Sequence, residues 1–409
     1  MMTELSAGFL PLTDSAILIA AKERGFAHDE GIALDLVRET SWANVRDKLA
    51  VGQFEIAHSL APMPIAANLG LTPFDTRLIA PMALGLGGNA ITVSNRLLAG
   101  MKQQQDFTML NAREVGAALA RHVRAGLREG RKRLQFGVVH PFSGHNFELR
   151  YWLSASGIAP ESDIEIVILP PPLMADALAT GQIDGYCVGE PWNTVGVAKG
   201  AGHIVAAKSS IWASSPEKVL AVREDWAEEN PATLHALLRA LYRSAEWCGQ
   251  PENHADLADM LASPRYLGQP AGVILPALDG SILRPSATGR TDPAATPDFF
   301  QPHSRAATFP WQSHALWFYS QMVRWGYVDH TAEHASIARH TFRPDIYRSV
   351  LSAIDVPVPS ANSKVEGALS RTIAVGASSR VLYLGPDGFF DGSIFDPDRL
   401  DAYIESQKA

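Results

Sequence analysis

In "SPEKVLAV", residues 215–222, the ammonium of Lys218 stands directly before four consecutive apolar side chains. A strongly hydrated charge is thus placed where the chain enters a core, which is costly unless a counter-charge or an anionic ligand meets it. In isolation such a lysine can also snorkel its head group to water at a strand edge. Other reactive groupings carry less. His330 and His334 in "HTAEH" stand one helical turn apart, a spacing that can hold a metal, but with no third ligand in view they read as an exposed helix start. Arg121, Arg124, Arg128, Arg131, Lys132 and Arg133 make the most basic stretch, which reads as a solvated helix face before it reads as a polyanion or partner contact. The chain has no Walker sequence, GxSxG or HExxH, and "LGLGGNA" clusters its glycines without the spacing or acidic partner of a dinucleotide site. Enzyme signatures are thus thin, and no enzyme activity, metal or cofactor is expected.

The elements that must position such residues alternate along the chain. "SAGFLPL", "IALDLVRE", "FEIAHSLA" and "TRLIAPMALGL" read as strands. Between them, "DSAILIAAKERGF" reads as a helix capped by Thr13 or Asp14 and ended at Gly25, followed by helices "WANVRDKLAVG" and "PMPIAANLG". A second series begins after "NAITVS": a long helix over 111–133, then strands "LQFGVVHP", "DIEIVIL", "DGYCVGEP" and "HIVAAKS" separated by helices "GHNFELRYWLSASG", "PLMADALATG" and "WNTVGVAKG". Both series predict largely parallel sheets, with function at the carboxyl ends of the strands. From residue 224 helices dominate, 284–308 reads as a long surface loop, and 357–368 reads as a linker before a short segment with one strand, "RVLYLG".

Composition bounds the rest. The 409 residues, 46% hydrophobic and 19% charged, suffice for two or three globular units. A net charge of −8 gives no global attraction for nucleic acid or anionic membrane. Cys187 and Cys248 are far apart and in no metal or redox spacing, which fits a reducing compartment. Residues 1–15, "MMTELSAGFLPLTDS", show no secretory signal or lipid-anchor cysteine, and the expected location is the cytoplasm.

Nine motifs in one order resemble the nitrate- and bicarbonate-binding proteins of ABC importers, the NrtA/CmpA group. They are "GFLPLTD", "SWANVRDKL", "AHSLAPMP", "GNAITVS", "HPFSGHNFELRYWL", "PPPLMADAL", "GYCVGEPWN", "SPEKVLAV" and "FPWQSHALWFYSQMVRWG", running from about Gly8 to Trp325. The resemblance implies an α/β fold of the type II periplasmic-binding-protein class, with two α/β lobes around a cleft that holds a small oxyanion. Lobe I is expected over 1–95 and 215–356, lobe II over 96–214, and a linker with C-terminal extension over 357–409.

The resemblance also implies a site. Lys218 matches the lysine that meets the anion, where the bicarbonate-binding branch has an acidic residue. Trp42 matches a tryptophan whose indole N–H points at the ligand, a donor with no lone pair to repel an anion, and Ser41 before it caps a helix. Asn89 takes the place of an amide donor. His145, with Ser143 and Gly144 before it, opens a helix whose first N–H groups and imidazole would seat an oxyanion. Pro171 opens another helix facing the cleft. Glu190 carries the wrong sign for an anion and is expected to orient Lys218 or His145. His58 ends a strand where the cleft should lie, as a core or a cleft-lining residue. The stretch before "LQFGVVHP", the tail after residue 357 and the missing lipoprotein signal resemble the cytoplasmic NasS-type sensors. That implies nitrate or nitrite as ligand and a NasT-like ANTAR antiterminator as protein partner, with no direct nucleic-acid or membrane contact. The alternative is the binding subunit of a nitrate importer, or a binding protein for another small anion.

Overall fold

The computed structural model describes residues 2–285, 291–296, 298–378 and 380–407. Two five-stranded sheets are built from β1 (Thr3–Phe9), β2 (Ile32–Arg38), β3 (Ile56–Leu60), β4 (Leu78–Ala83), β5 (Asn89–Ser94), β6 (Leu134–Val138), β7 (Ile164–Ile168), β8 (Gly185–Gly189), β9 (Gly202–Ala207) and β10 (Lys218–Arg223). The first has the order β2-β1-β3-β10-β4 and the second β9-β5-β8-β6-β7. One strand in each runs against its neighbours: β10 is antiparallel to β3 and β4, and β5 to β8 and β9. The chain therefore passes between the sheets twice, at 84–88 and at 208–217. This is the two-lobed type II periplasmic-binding-protein fold. β5, placed in the first lobe by the expected boundary at residue 95, is hydrogen-bonded in the second sheet.

This topology collects the turns after β1, β2, β6, β7, β8 and β9 along the facing carboxyl edges of the two sheets, together with the starts of β5 and β10. β1 ends at Phe9, short of the expected Leu12, because Pro11 has no N–H for the ladder. The released residues form a 3-10 turn, Thr13–Ser15, before helix α1 (Ala16–Glu23). Asp14 caps nothing there. Two helices start on the same edge with true side-chain caps: α2 (Trp42–Ala50), where Ser41 accepts from the Asn44 N–H, and α3 (Gly144–Ala155), where Ser143 accepts from the Asn146 N–H.

Several stretches differ from the reading by periodicity. Asn95–Gln104 is a helix capped by Ser94, and 281–295 holds a hairpin of Ser281–Pro285 with Thr291–Ala295 where loop was expected from residue 284. Residues 286–290 of that expected loop lie outside the described residues. His330 precedes the helix Ala332–Thr341 and His334 stands in its first turn, and both are already bonded, His330 to Asp401 and Tyr319 and His334 to the Asp329 carbonyl.

The tail is no free linker. Phe389 stacks on Trp212 with ring centres 4.7 Å apart, and the Phe390 N–H donates to the Ile211 carbonyl at 2.8 Å. Arg113 and Tyr151 of the second lobe reach the Phe390 carbonyl at 2.6 Å and the Asp391 carboxylate at 2.9 Å. Phe395, Leu400 and Ile404 enter one core with Phe136 and Trp152 of the second lobe and with Trp317 of α4 (Gln312–Arg324). Among the described residues no helix is long and apolar enough to cross a membrane.

Candidate functional site

Lys218 opens β10 at the seam between the lobes, wholly buried. Its Nζ lies 2.7 Å from Asp14 Oδ2 and 2.8 Å from Glu217 Oε1, and 5.4 Å from the centre of the Trp42 ring. The sequence offered an anionic ligand, with Glu190 as an orienting partner, to meet this ammonium; the chain instead supplies two other carboxylates of its own, Asp14 and Glu217. The physical reason is that a lone ammonium in a dry interior costs several kcal/mol even before a ligand arrives.

Those carboxylates continue into a second ammonium. Glu217 Oε2 pairs with Lys208, which lies at the end of β9 and also contacts Glu148 at 2.9 Å and the Pro216 carbonyl at 2.7 Å. Ser215 donates to Glu148. Burial pushes the Asp14 carboxyl up, but Lys218 and His58 outweigh it and hold it below the ordinary carboxylate value. Burial pushes the Glu217 carboxyl up as well, but the ammoniums of Lys208 and Lys218 clasp it and hold it well below its usual value. At Glu148 burial wins over Lys208 and the carboxyl rises to about 7.

Gly144 and His145 sit where this network meets the start of α3. A Cβ on Gly144 would fall 2.3 Å from Glu217 Oε2 and 3.3 Å from Lys208 Nζ, so only glycine lets the helix end approach the pair. The positive end of α3 therefore already faces a carboxylate of the protein. Ser143, expected in a ligand seat, is spent locally: its hydroxyl donates to the His140 carbonyl at 2.7 Å and accepts from Asn146 N–H at 3.0 Å. The His145 ring is shut from solvent, with Nδ1 3.4 Å from Glu217 Oε1, and burial lowers its pKa to about 3, so it is neutral. His58 has Nε2 3.0 Å from Asp14 Oδ1, and burial lowers its pKa too.

The seam gathers, from both lobes, donors with nothing to donate to; single ones such as Trp317 Nε1 and the His314 ring nitrogens also occur elsewhere. Trp42 Nε1, Asn89 Nδ2 and Oδ1, His145 Nε2 and Thr13 Oγ1 are buried and have no hydrogen-bond partner among the described residues. Asn89 lies opposite Gly189 in the β5–β8 ladder, and a Cβ on Gly189 would be 3.2 Å from Asn89 Oδ1 and 3.6 Å from Asp14 Oδ2. Trp42 packs on His58 with ring centres 5.5 Å apart. Orphaned polar groups at this depth each cost about 1–3 kcal/mol, a cost that a bound polar ligand removes. The lobes are shut over them: Thr13 N–H donates to the Glu190 carbonyl at 2.7 Å, and Trp192 Nε1 to the Pro11 carbonyl at 3.0 Å.

Glu190 does not orient Lys218 or His145, a role taken by Asp14 and Glu217. Its Oε2 accepts from the Thr194 N–H at 3.1 Å and its Oε1 has no partner among the described residues. Burial raises its carboxyl to about 7, against the pull of Thr194 and Asn193. Pro171 is buried at the start of a three-residue 3-10 turn, Pro171–Leu173, and no hydrogen bond among the described residues ties it to the cluster. Asp14, Lys208, Glu217 and Glu148 were missed as site residues. One signal was available: Glu148 follows His145 by three positions, on the same helix face.

The basic stretch is elsewhere. Arg131, Lys132 and Arg133 line a groove of about 750 Å³ at the opposite edge of the second sheet, with Arg96 and Asp184, and they are exposed. Among the described residues no group of three or more His, Cys, Asp or Glu is placed to hold a metal ion.

Comparison with known proteins places this geometry. The model of the NMT1-like family matches residues 2–262. The nitrate/nitrite binding protein NrtA of Synechococcus elongatus is 32% identical over 99% of this chain and 86% of its own length. The nitrate import ATP-binding protein NrtC of Synechocystis is 36% identical over 84% of this chain, which spans 49% of that longer protein. The crystal structure of the periplasmic nitrate-binding protein NrtA from Synechocystis PCC 6803 superposes with a TM-score of 0.84 at 27% identity, covering 100% of this chain and 99% of that one.

Proposed function

The chain belongs to the NMT1-like family, and from that premise we propose that it is a nitrate- and nitrite-binding protein of the NrtA kind, closing its two lobes on one small monoanion. The observation that carries this reading is the set of buried donors without acceptors, Trp42 Nε1, Asn89 Nδ2 and His145 Nε2, gathered around Lys218. Lys218 has three N–H bonds and commits two of them to Asp14 and Glu217, so the third is free for a ligand. Nitrate is planar, singly charged and a weak acceptor, and it suits several neutral donors around one shared ammonium. A divalent anion would bring an uncompensated charge into a closed site and is rejected. Contacts from both lobes make ligand and closure mutually stabilising. Retention, not turnover, is what such a site does.

Calorimetric titration of protein stripped of ligand by unfolding and refolding tests this. Nitrate and nitrite are expected to bind and sulfate not to. Binding of bicarbonate with no response to nitrate would reject the reading.

Delivery of the anion to an importer is the favoured use of this binding. The alternative is a cytoplasmic sensor that releases a NasT-like antiterminator when nitrate closes the lobes. The tail and the stretch before β6, which first suggested the sensor, fall within the 99% of this chain that aligns with NrtA, and so no longer favour it. Cell fractionation, with nitrate-dependent loss of a co-purifying RNA-binding partner, separates the two uses.

A further inference from the structure

The second passage between the lobes, 208–217, carries Lys208, Ser215 and Glu217 and delivers Lys218 to the start of β10. Its two halves are held by different partners. The downstream half lies along the first passage: Gly87 N–H donates to the Ser215 carbonyl at 2.9 Å, Leu84 N–H donates to the Lys218 carbonyl at 2.8 Å, and Leu86 bridges Pro216. The upstream half is held by the tail. Ala213 N–H donates to the Gly388 carbonyl at 3.1 Å, Phe390 N–H to the Ile211 carbonyl at 2.8 Å, and Ser214 Oγ to the Pro386 carbonyl at 2.9 Å. Between these bonds the buried rings of Phe389 and Trp212 stack.

The tail also changes lobe at this point. Leu384 is packed in the core of the first sheet with Ile56 and Leu220, whereas Phe389 lies in the core that holds Phe136 and Trp152 of the second. Within 384–389 the chain thus crosses from one lobe to the other, a third passage that runs beside the second and outside both five-stranded sheets. Beyond it, Arg113 and Tyr151 of the second lobe grip Phe390 and Asp391. Opening and closing of two lobes is a change of backbone angles in the segments that join them. A strap rooted in both lobes and bonded along one joining segment takes part in that change. All its contacts are made with the lobes shut, so turning 208–217 toward an open cleft strains or breaks them.

We propose that the tail is a working part of the anion site: Phe389, acting through Trp212, positions the passage that bears Ser215, Glu217 and Lys218, and so holds the lobes in the arrangement that retains the ligand. This rests on the anion-binding reading above. Phe389 is a positioning residue, with Trp212 as its lever and the backbone bonds at Ala213 and Phe390 fixing the lever's angle. The affinity observed for a two-state binder is its intrinsic affinity scaled by the fraction already in the binding form. Loosening the strap therefore weakens binding without altering any group that meets the anion. Reciprocity supplies the converse, that a bound anion tightens the strap.

Nitrate titrations of the full chain carrying Phe389→Ala or Ile404→Ala test the inference. Both side chains enter the same core, but Phe389 stacks on the passage and Ile404 stands on the last helix, Leu400–Ser406. Both variants are expected to lose stability in urea. Only Phe389→Ala is expected to raise the nitrate Kd, by at least about fivefold. Spin labels at Thr40→Cys and Leu173→Cys, exposed positions after β2 and β7 on the two rims of the cleft, read the lobes directly, because the native Cys187 and Cys248 are buried. In nitrate-free protein Phe389→Ala is expected to lengthen the separation of the labels, and nitrate to shorten it again. Should that variant fold poorly, hydrogen exchange of the native protein supplies an independent reading, in which nitrate slows exchange at the Ala213 and Phe390 N–H groups. A Kd in Phe389→Ala within twofold of native overturns the inference while leaving nitrate binding intact. So does an equal rise in Ile404→Ala, or exchange at those two amides that nitrate leaves unaltered. Native protein that binds neither nitrate nor nitrite overturns this inference and the parent reading together.

Discussion

Lys218 in the cleft and Lys364 beneath the C-terminal segment are built on one plan: an ammonium faced by two carboxylates and lying over an indole ring. Lys218 has Asp14, Glu217 and Trp42; Lys364 has Glu366, Asp387 and Trp311, its Nζ 5.9 Å from the ring centre. The clusters part company in what surrounds the charges. Under the tail every carboxylate oxygen is matched: Glu366 takes Lys364 and the Ser313 hydroxyl, and Asp387 takes Lys364 and the Leu369 N–H. In the cleft an indole, an amide and an imidazole nitrogen from both lobes are left over among the described residues, and beside the tail pair the two ring nitrogens of His314 are left over as well. Neither a buried ion pair nor an unspent ring nitrogen is therefore by itself a mark of a binding site. Unspent donors converging from two lobes are.

The widest separation of the two clusters comes from deleting each ammonium. Lys218→Met and Lys364→Met each strand two carboxylates, and each is expected to lower stability by about 3–5 kcal/mol in urea unfolding. Only the first should abolish nitrate binding in the fraction that remains folded. Loss of binding in both would dissolve the distinction.

A methyl group sharpens it next. In Gly144→Ala the new carbon meets Glu217 Oε2 at 2.3 Å, and that carboxylate is clasped by two lysines and cannot give way, so a loss of about 1–3 kcal/mol is expected. On the tail side, Gly385→Ala meets Arg305 Cδ at 2.4 Å, part of a long side chain that can swing aside, and the loss by the same urea assay should stay under about 1 kcal/mol.

Trp42→Phe removes an N–H that no protein group uses and keeps the ring over Lys218. Nitrate affinity is expected to fall about tenfold by calorimetry, the worth of one hydrogen bond, with stability changed by less than about 1 kcal/mol. A large stability loss with unaltered affinity would make Trp42 a core residue only.

The smallest effect is in the pH dependence of unfolding. Burial pushes Glu366 up, but Lys364 and His314 bring it to about 2, so its stabilising share is complete above the ordinary carboxyl range and is lost only as pH falls toward 2. Glu190, raised to about 7, has the opposite sign: its share is complete in acid and is lost as pH rises from the ordinary range through 7. Buried neutral histidines such as His58 and His145 make stability rise with pH up to their ordinary range, so the readout is a difference: between pH 5 and 8 the urea midpoint of Glu190→Gln should gain on that of the native protein, while the offset of Glu366→Gln should stay constant.

The alternation of strands and helices was readable because period-two runs and capped helix starts are local signals, and the topology follows from them. Trp42, Gly144 and His145 were named through ordered motifs that resemble a known family, and only Lys218 also stood out by itself, as a charge set against an apolar run. Asp14 was hidden because an Asp before a helix looks like a cap, and only the ladder partners of β1 and β3 bring it to Lys218 and His58. Lys208 was hidden at the close of an ordinary strand, and its link to Glu217 spans the second passage between lobes. The tail misled for a related reason. "PVPSANSKVEGA" has the composition of a spacer, but its Lys364 and Glu366 carry information only in three dimensions, against Asp387 and Ser313.

The core that holds Phe136 and Trp152 is finished by Phe395, Leu400 and Ile404. Synthesis runs from the amino end, so residues as late as Ile404 must leave the ribosome before this core can close, and a product broken off ahead of Phe389 would present bare Trp212 to chaperones and proteases. Quality control of this fold is thereby tied to residues 389–404.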